Sequence, residues 1–324
     1  MSDAYLGIDI AKRDFHATLL IGEIERRHVF PNNDKGFAQL DAWLINRKVD
    51  RVHACMEATG AYAEAVATHL VERGHLVSIV NPARIKGYAQ SELSRTKTDA
   101  VDAGLIARFC RALKPDAWMA PAPEIRHLQG LVRRLESLTE TRQQELNRAQ
   151  APGVVDPVAH SIAALVAHLS EQIDALQRQI REHIDRHPTL RQQRDLLASI
   201  PGIGHKTVAS ILGELPDINQ FASAKQVAAY AGLSVAQHRS GTSIRGRARL
   251  SKRGNHQLRK ALFFPAMVAM RCNPIIHAFA LRLRAAGKRE MVILGAAMRK
   301  LLHLVFGVLR SGKPFNANYD TILA

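Results

Sequence analysis

Five short apolar runs fall within the first eighty residues, and their spacing leaves few folds open. YLGIDI, FHATLLI and IERRHVF follow one another inside residues 4–31, with only Gly22 and Glu23 between the second and third. Runs of this length read as strands, and a two-residue connection containing glycine reads as a tight hairpin. NDKGFAQLDAWLINRK (33–48) reads as a helix capped by Asn33, and RVHACME (51–57) as a fourth strand. AYAEAVATHLVERG (61–74) reads as a helix closed by Gly74, and HLVSIV (75–80) as a fifth strand. A chain ordered βββαβαβ builds a mixed sheet, an antiparallel meander followed by a parallel crossover. TDAVDAGLIARFCRAL (98–113) follows as a helix, with Thr98 as its cap.

The first strand carries an acid in its middle. Leu6, Ile8 and Ile10 share one face, and Gly7 and Asp9 the other. A carboxylate inside a core is costly unless it is paired or binds a metal. In a sheet of the ribonuclease H type, strands one and four are neighbours, which brings Asp9 and Glu57 to one edge. Asp99 and Asp102 stand three apart, on one face of the following helix. Four converging carboxylates repel one another unless cations neutralise them, and hard divalent ions such as Mg²⁺ or Mn²⁺ take oxygen ligands. Two such ions suit phosphoryl transfer. Taken singly, each acid has a plainer explanation: a solvated strand end for Asp9 or Glu57, a favourable helix N-terminus for Asp99 or Asp102. His16, His53 and His75 lack ligand spacing and read as ordinary strand or surface histidines.

Charge points to the partner. The formal net charge is +16, and the stretch 218–289 holds fourteen Lys and Arg and no Asp or Glu. Such a surface suits a polyanion, foremost nucleic acid. A membrane partner is not expected: the most apolar run, 291–309, is interrupted by Arg299, Lys300 and His303 and reads as a buried amphipathic helix. No signal peptide opens the chain, and three scattered cysteines without CxxC spacing fit a reducing cytoplasm and no zinc site.

Four regions are expected: a metal-binding domain over 1–113, a proline-rich linker over 114–123, a helical hairpin over 124–188 and a mostly helical domain over 189–324. In the hairpin, Leu128, Leu131, Leu135 and Leu138 keep heptad spacing. Ile162, Leu165, Leu169, Ile173, Leu176, Ile180 and Ile184 follow an eleven-residue repeat, which fits an antiparallel coiled coil or a local helix pair equally. In the last region PGIG lies between two helices, with Gly202 and Gly204 placed to bring backbone N–H groups to a phosphate, or simply to make a turn. Helices are expected near 255–271, 273–286 and 289–310. Residues 234–260 carry eight Lys and Arg and no acid. Arg239, Arg245, Arg247, Arg249, Lys252 and Arg253 are candidates to grip a nucleic-acid backbone. Four serines lie among them. Their hydroxyls either hydrogen-bond phosphate or, with a proton removed, attack it.

GIDIAKRDFH, MEATG, the acid pair of TDAVDA, PGIG and AYAGLS…SGTSIRGRARLSKRGN together resemble the DEDD-type insertion-sequence transposases, over nearly the whole chain. The resemblance implies an α/β ribonuclease H-like (RuvC-like) domain, a coiled-coil hairpin and a helical transposase domain. It implies that Asp9, Glu57, Asp99 and Asp102 form a metal-binding tetrad. It also implies a catalytic serine joined covalently to a DNA 5′ phosphate, carried here to Ser240 with Ser243 as the alternative. A structured bridge RNA that pairs with donor and target DNA is implied too, as is a homodimer that assembles into a tetramer and exchanges strands through a Holliday junction. The setting implied is cytoplasmic and nucleoid-associated. Two other readings stand beside it: a RuvC-like junction nuclease using activated water, and a non-catalytic nucleic-acid binder.

Overall fold

The computed structural model describes residues 3–58, 61–92, 99–236, 239–240, 244–245 and 249–317. The chain divides into two compact units, Met1–Ala120 and Pro121–Ala324.

The first unit is a five-stranded mixed sheet flanked by helices. Strands β1 (Ala4–Ile10), β2 (Asp14–Ile21) and β3 (Ile24–Pro31) form the meander, and β4 (His53–Glu57) and β5 (Leu76–Val80) extend it on the far side of β1. The order is β3-β2-β1-β4-β5, antiparallel among the first three and parallel from β1 through β4 to β5. Gly22, at φ +57°, and Glu23 make the two-residue turn between β2 and β3. Helix α1 (Asp34–Ile45) starts where the Asn33 side chain accepts the Gly36 N–H. Helices α1 and α2 (Ala61–Glu72) cover one sheet face, packing Leu40, Leu44, Val66 and Leu70 against Phe15, Leu19 and Phe30.

The other face belongs to α4 (Asp99–Leu113), whose Leu105, Ile106 and Phe109 pack on Tyr5, Cys55 and Val80. Between them runs α3 (Pro82–Ser91), for which the sequence analysis had no element. Its apolar signal is weak, since Ile85 is its one buried residue; the Asn81 side chain caps it and Pro82 starts it. After α4 the chain returns over β5. The His53 Nε2–H donates to Ser78 Oγ at 2.8 Å, Ser78 donates to the backbone carbonyls of Pro115 and Asp116, and the Trp118 N–H donates to Val77.

The second unit is helical. Helices α5 (Pro123–Ala149) and α6 (Asp156–Arg186) pack antiparallel, with Leu138, Leu169 and Ile173 in a small core of their own. Five of the seven α6 residues with apolar spacing are buried, whereas Leu165 is 42% exposed. At about 100° per residue, Leu165 lies furthest from the centre of the stripe. The lower ends of α5 and α6 merge into the main core with α7 (Pro188–Ala198), α8 (His205–Glu214), α9 (Ala224–Tyr230), α10 (His256–Ala261), α11 (Phe263–Cys272), α12 (Pro274–Ala285) and α13 (Glu290–Ser311). The single helix expected near 255–271 is in fact α10 and α11. Pro265 has no N–H to give Ala261, and the helix breaks at Leu262. Among the described residues α13 is the one single helix long and apolar enough to cross a membrane, and half of that apolar window is buried in the protein core.

The basic segment forms short antiparallel ladders rather than an irregular loop. β6 (Val235–Ala236) pairs with β9 (Arg249–Leu250), and β7 (Arg239–Ser240) with β8 (Ile244–Arg245).

Candidate active site and basic hairpin

The acids gather at one end of the first unit because of how α4 lies on the sheet. A Cβ at Gly7 would stand 2.1 Å from the Ala103 carbonyl oxygen and 2.3 Å from the Ala107 nitrogen, so α4 rests on bare β1 backbone. The C-terminal part of α4 lies over the strand starts. Cys110 Sγ donates to the His53 carbonyl at 3.4 Å, and Lys114 Nζ stands 3.5 Å from Asp3 Oδ2. Helix α4 therefore runs antiparallel to β1 and β4. Its first turn, with Asp99 and Asp102, lies toward the C-terminal ends of those strands, where Asp9 and Glu57 stand.

Strand register brings the two strand acids together. Ile8 pairs with Met56 in parallel, and one further step sets Asp9 beside Glu57. Neighbouring strands are about 4.8 Å apart. Both acids share parity with Gly7 and Cys55, which face α4, and both are half-buried, as is Asp102. Asp99 opens α4, and its side chain lies outside the described residues. Among the described residues no three His, Cys, Asp or Glu side chains stand close enough to hold a metal ion. The acid-bearing residues come from three separate elements, β1, β4 and α4.

His16 reads in the sequence as an ordinary strand or surface histidine. It pairs directly with Asp9 across β1 and β2, so it occupies the same face of the sheet. The signal was available, because the three-residue connection Ala11–Arg13 sets that register. His53 and His75 serve the fold. Burial lowers the pKa of both; His53 binds Ser78, and the His75 Nδ1 accepts the Val52 N–H at 3.4 Å.

In the second unit Ser240 sits in β7 opposite Ile244, and Arg239 is opposite Arg245. Side chains of these residues, and Ser243, Arg247 and Thr98 altogether, lie outside the described residues. Arg249, Lys252 and Arg253 are exposed. The PGIG glycines differ from each other. Gly202, at φ +99°, would drive a Cβ to 2.7 Å from the Ala269 Cβ, so it serves the turn and its packing on α11. Gly204 is the N-cap of α8 and has open space around it, which leaves the first N–H groups of that helix accessible.

A mixed α/β unit with carboxylates at adjoining strand ends, joined to a helical unit bearing a cationic hairpin, fits a protein that acts on nucleic acid. Comparison with known proteins narrows this class. Residues 6–152, which contain all four acids, match a DEDD transposase family model of the IS110 type. Residues 194–281, which contain PGIG and the hairpin, match the model "Transposase IS116/IS110/IS902 family". The pilin gene-inverting protein of Moraxella lacunata is 37% identical over 98% of both chains, and that of Moraxella bovis is 36% identical over the same share. A probable family 20 transposase of Pseudomonas aeruginosa is 26% identical over 84% of this chain and 86% of its own. The protein belongs to the IS116/IS110/IS902 family of transposases, and it is a DNA recombinase.

Proposed function

We propose that the protein cuts and rejoins donor and target DNA through a covalent phosphoserine intermediate. The observation that carries this reading is the register of β1 and β4, which sets Asp9 beside Glu57 below the acid-bearing first turn of α4. Asp9, Glu57, Asp99 and Asp102 would hold Mg²⁺ or Mn²⁺. When bound, the cations neutralise charge on the attacking and leaving oxygens. Ser240, or Ser243 beside it, supplies the nucleophile. Its Oγ–P bond forms as the P–O3′ bond breaks, the 5′ phosphate stays on serine, and the serine proton ends on the released 3′ hydroxyl. Arg239, Arg245, Arg247, Arg249, Lys252 and Arg253 grip the backbone and the Gly204 end of α8 meets a phosphate, with Gly202 shaping that turn.

The family resemblance supports the further parts of this reading. A structured bridge RNA pairs with both DNAs. Homodimers assemble into a tetramer, α5 and α6 form a coiled-coil hairpin, and strands exchange through a Holliday junction. Residues 1–113 supply metal chemistry and residues 189–324 supply the serine, in a cytoplasmic, nucleoid-associated setting. Inversion of a DNA segment is a second outcome of the same chemistry, favoured by the pilin gene-inverting relatives.

Asp9→Asn, Glu57→Gln and Asp102→Asn test the acid site. Each is expected to lower DNA cleavage by at least about a hundredfold and to weaken Mn²⁺ binding read by electron paramagnetic resonance. Unchanged cleavage in Asp9→Asn and Asp102→Asn would remove the acids from the chemistry, and no cleavage by the wild type would leave only a nucleic-acid-binding role.

A further inference from the structure

The two ends of the basic hairpin meet over a buried ionic cluster whose parts come from α5, α8, α9 and the N-cap of α10. Glu214, at the end of α8, is only 3% exposed. Its Oε1 accepts Arg133 Nε at 2.7 Å and its Oε2 accepts Arg133 Nη2 at 3.2 Å. The same Oε2 accepts the Asn255 Nδ2–H at 3.0 Å, and the Glu214 carbonyl accepts the Tyr230 hydroxyl at 3.3 Å. The Asn255 amide also donates to the Glu214 carbonyl at 3.3 Å and to the Tyr230 hydroxyl at 3.4 Å. Its Oδ1 caps α10 by accepting the Leu258 N–H at 2.9 Å, and its own N–H donates to the Tyr230 carbonyl at 2.6 Å.

Tyr230 and Asn255 stand immediately outside the hairpin's two legs. Rung by rung, the Lys252 N–H donates to Gly232 at 3.1 Å and the Ser251 N–H to Ser234 at 2.8 Å, and the ladder of β6 and β9 follows. Arg259 spans both legs, donating to the carbonyls of Ala231 at 3.0 Å and Lys252 at 3.2 Å. Close approach is enforced by glycine. A Cβ on Gly254, at φ +146°, would fall 2.2 Å from the Tyr230 carbonyl oxygen.

A buried ion pair adds little net stability over an apolar core of the same volume, so its position is the better guide to its role. Here it sits at the root of the segment that carries Ser240, and about 1 Å of misplacement at a reacting group can cost roughly a hundredfold in rate.

We infer that Glu214 and Asn255, held by Arg133, are positioning residues that set the angle of the serine hairpin. The inference deepens the phosphoserine reading and rests on it for its catalytic consequence. Asn255→Asp separates positioning from folding. It keeps the oxygen that caps α10 but turns a carboxylate oxygen toward Glu214. Glu214→Gln added to it reverses donor and acceptor and restores a hydrogen bond with the charge count unchanged.

The test measures four quantities on the full protein: the rate of protein–DNA adduct formation at saturating DNA, DNA affinity, melting temperature, and amide exchange over 249–256. Asn255→Asp should slow adduct formation about tenfold or more, leave DNA affinity within about twofold and speed exchange at Ser251 and Lys252. The double variant should recover to within about threefold of wild type on both rate and exchange. Asn255→Ser, which keeps only the cap, should show a smaller loss in the same direction and serves if Asn255→Asp does not fold. A wild-type rate in Asn255→Asp, a double variant as slow as the single, or a loss that tracks DNA affinity would overturn the inference. If the wild type forms no adduct, the serine reading fails and exchange alone decides. Faster exchange in Asn255→Asp that the double variant reverses upholds the clamp, and unchanged exchange refutes it.

Discussion

Gly7→Ala is the smallest change that tests how the acid site is built. The added methyl carbon would stand 2.1 Å from the Ala103 carbonyl oxygen, 2.3 Å from the Ala107 nitrogen and 2.8 Å from the Ala107 Cα. All three are backbone atoms, so no side-chain rotation relieves the clash. Ordinary contact begins near 3.4 Å, so α4 must retreat by about 1.3 Å, the difference between 3.4 and 2.1. Overpacking of this kind costs about 1–3 kcal/mol. The functional cost is larger, because α4 carries Asp99 and Asp102 away from Asp9 and Glu57. A displacement of about 1 Å in a reacting constellation lowers rate by roughly a hundredfold. The assay pairs urea unfolding with DNA cleavage over a Mn²⁺ titration. A cleavage loss about a hundredfold, with more Mn²⁺ needed for half-maximal rate, is expected from a protein that still folds. Wild-type cleavage and stability in Gly7→Ala would refute the packing of α4 on β1 as the device that assembles the acids.

Two further predictions concern the second unit. Binding to DNA should fall by about a thousandfold or more between 50 and 200 mM salt. Replacing Arg249, Lys252 and Arg253 together by Ala should reduce that salt slope, as measured by fluorescence anisotropy, and a salt-insensitive affinity would contradict the hairpin's phosphate-gripping role. His303 lies on α13 with a buried Nε2 that has no hydrogen-bond partner among the described residues, and burial, with Arg299 and Lys300 adding to it, holds its pKa below the usual 6.5. Its folded pKa is depressed, so the unfolded chain takes up the proton first and stability falls as pH drops through about 6.5. His303→Leu should flatten the loss of melting temperature between pH 7.5 and 5.5, and a pH profile identical to wild type would remove His303 from that dependence.

Much of this architecture was legible in the sequence for identifiable reasons. Alternation in YLGIDI and FHATLLI and the Gly22–Glu23 turn specify the meander, and the helix between 57 and 75 requires a parallel crossover. That placed Asp9 near Glu57 before any coordinates. Helix α3 was hidden because it buries one side chain and depends on a cap, Asn81, that also reads as a turn. The break at Leu262 was legible in Pro265 but masked by the apolar run around it. Gly7 shared a face with Asp9 in the sequence, yet its reason, the backbone of α4 a hundred residues later, is tertiary. The Glu214 cluster could not be read locally at all. Arg133, Glu214 and Asn255 are 81 and 41 residues apart, and each taken singly resembles a surface polar residue.

The central claim, that a serine of the hairpin becomes joined to DNA, is tested most directly by trapping. Wild-type protein is mixed with cleavable donor and target DNA, Mg²⁺ and the proposed structured RNA, denatured, and resolved by mass. The account predicts a protein–DNA adduct that disappears in Ser240→Ala, while an adduct that persists there and vanishes in Ser243→Ala moves the nucleophile three residues. Cleaved DNA with no adduct in the wild type would contradict the account and leave a metal-activated water as the attacking group.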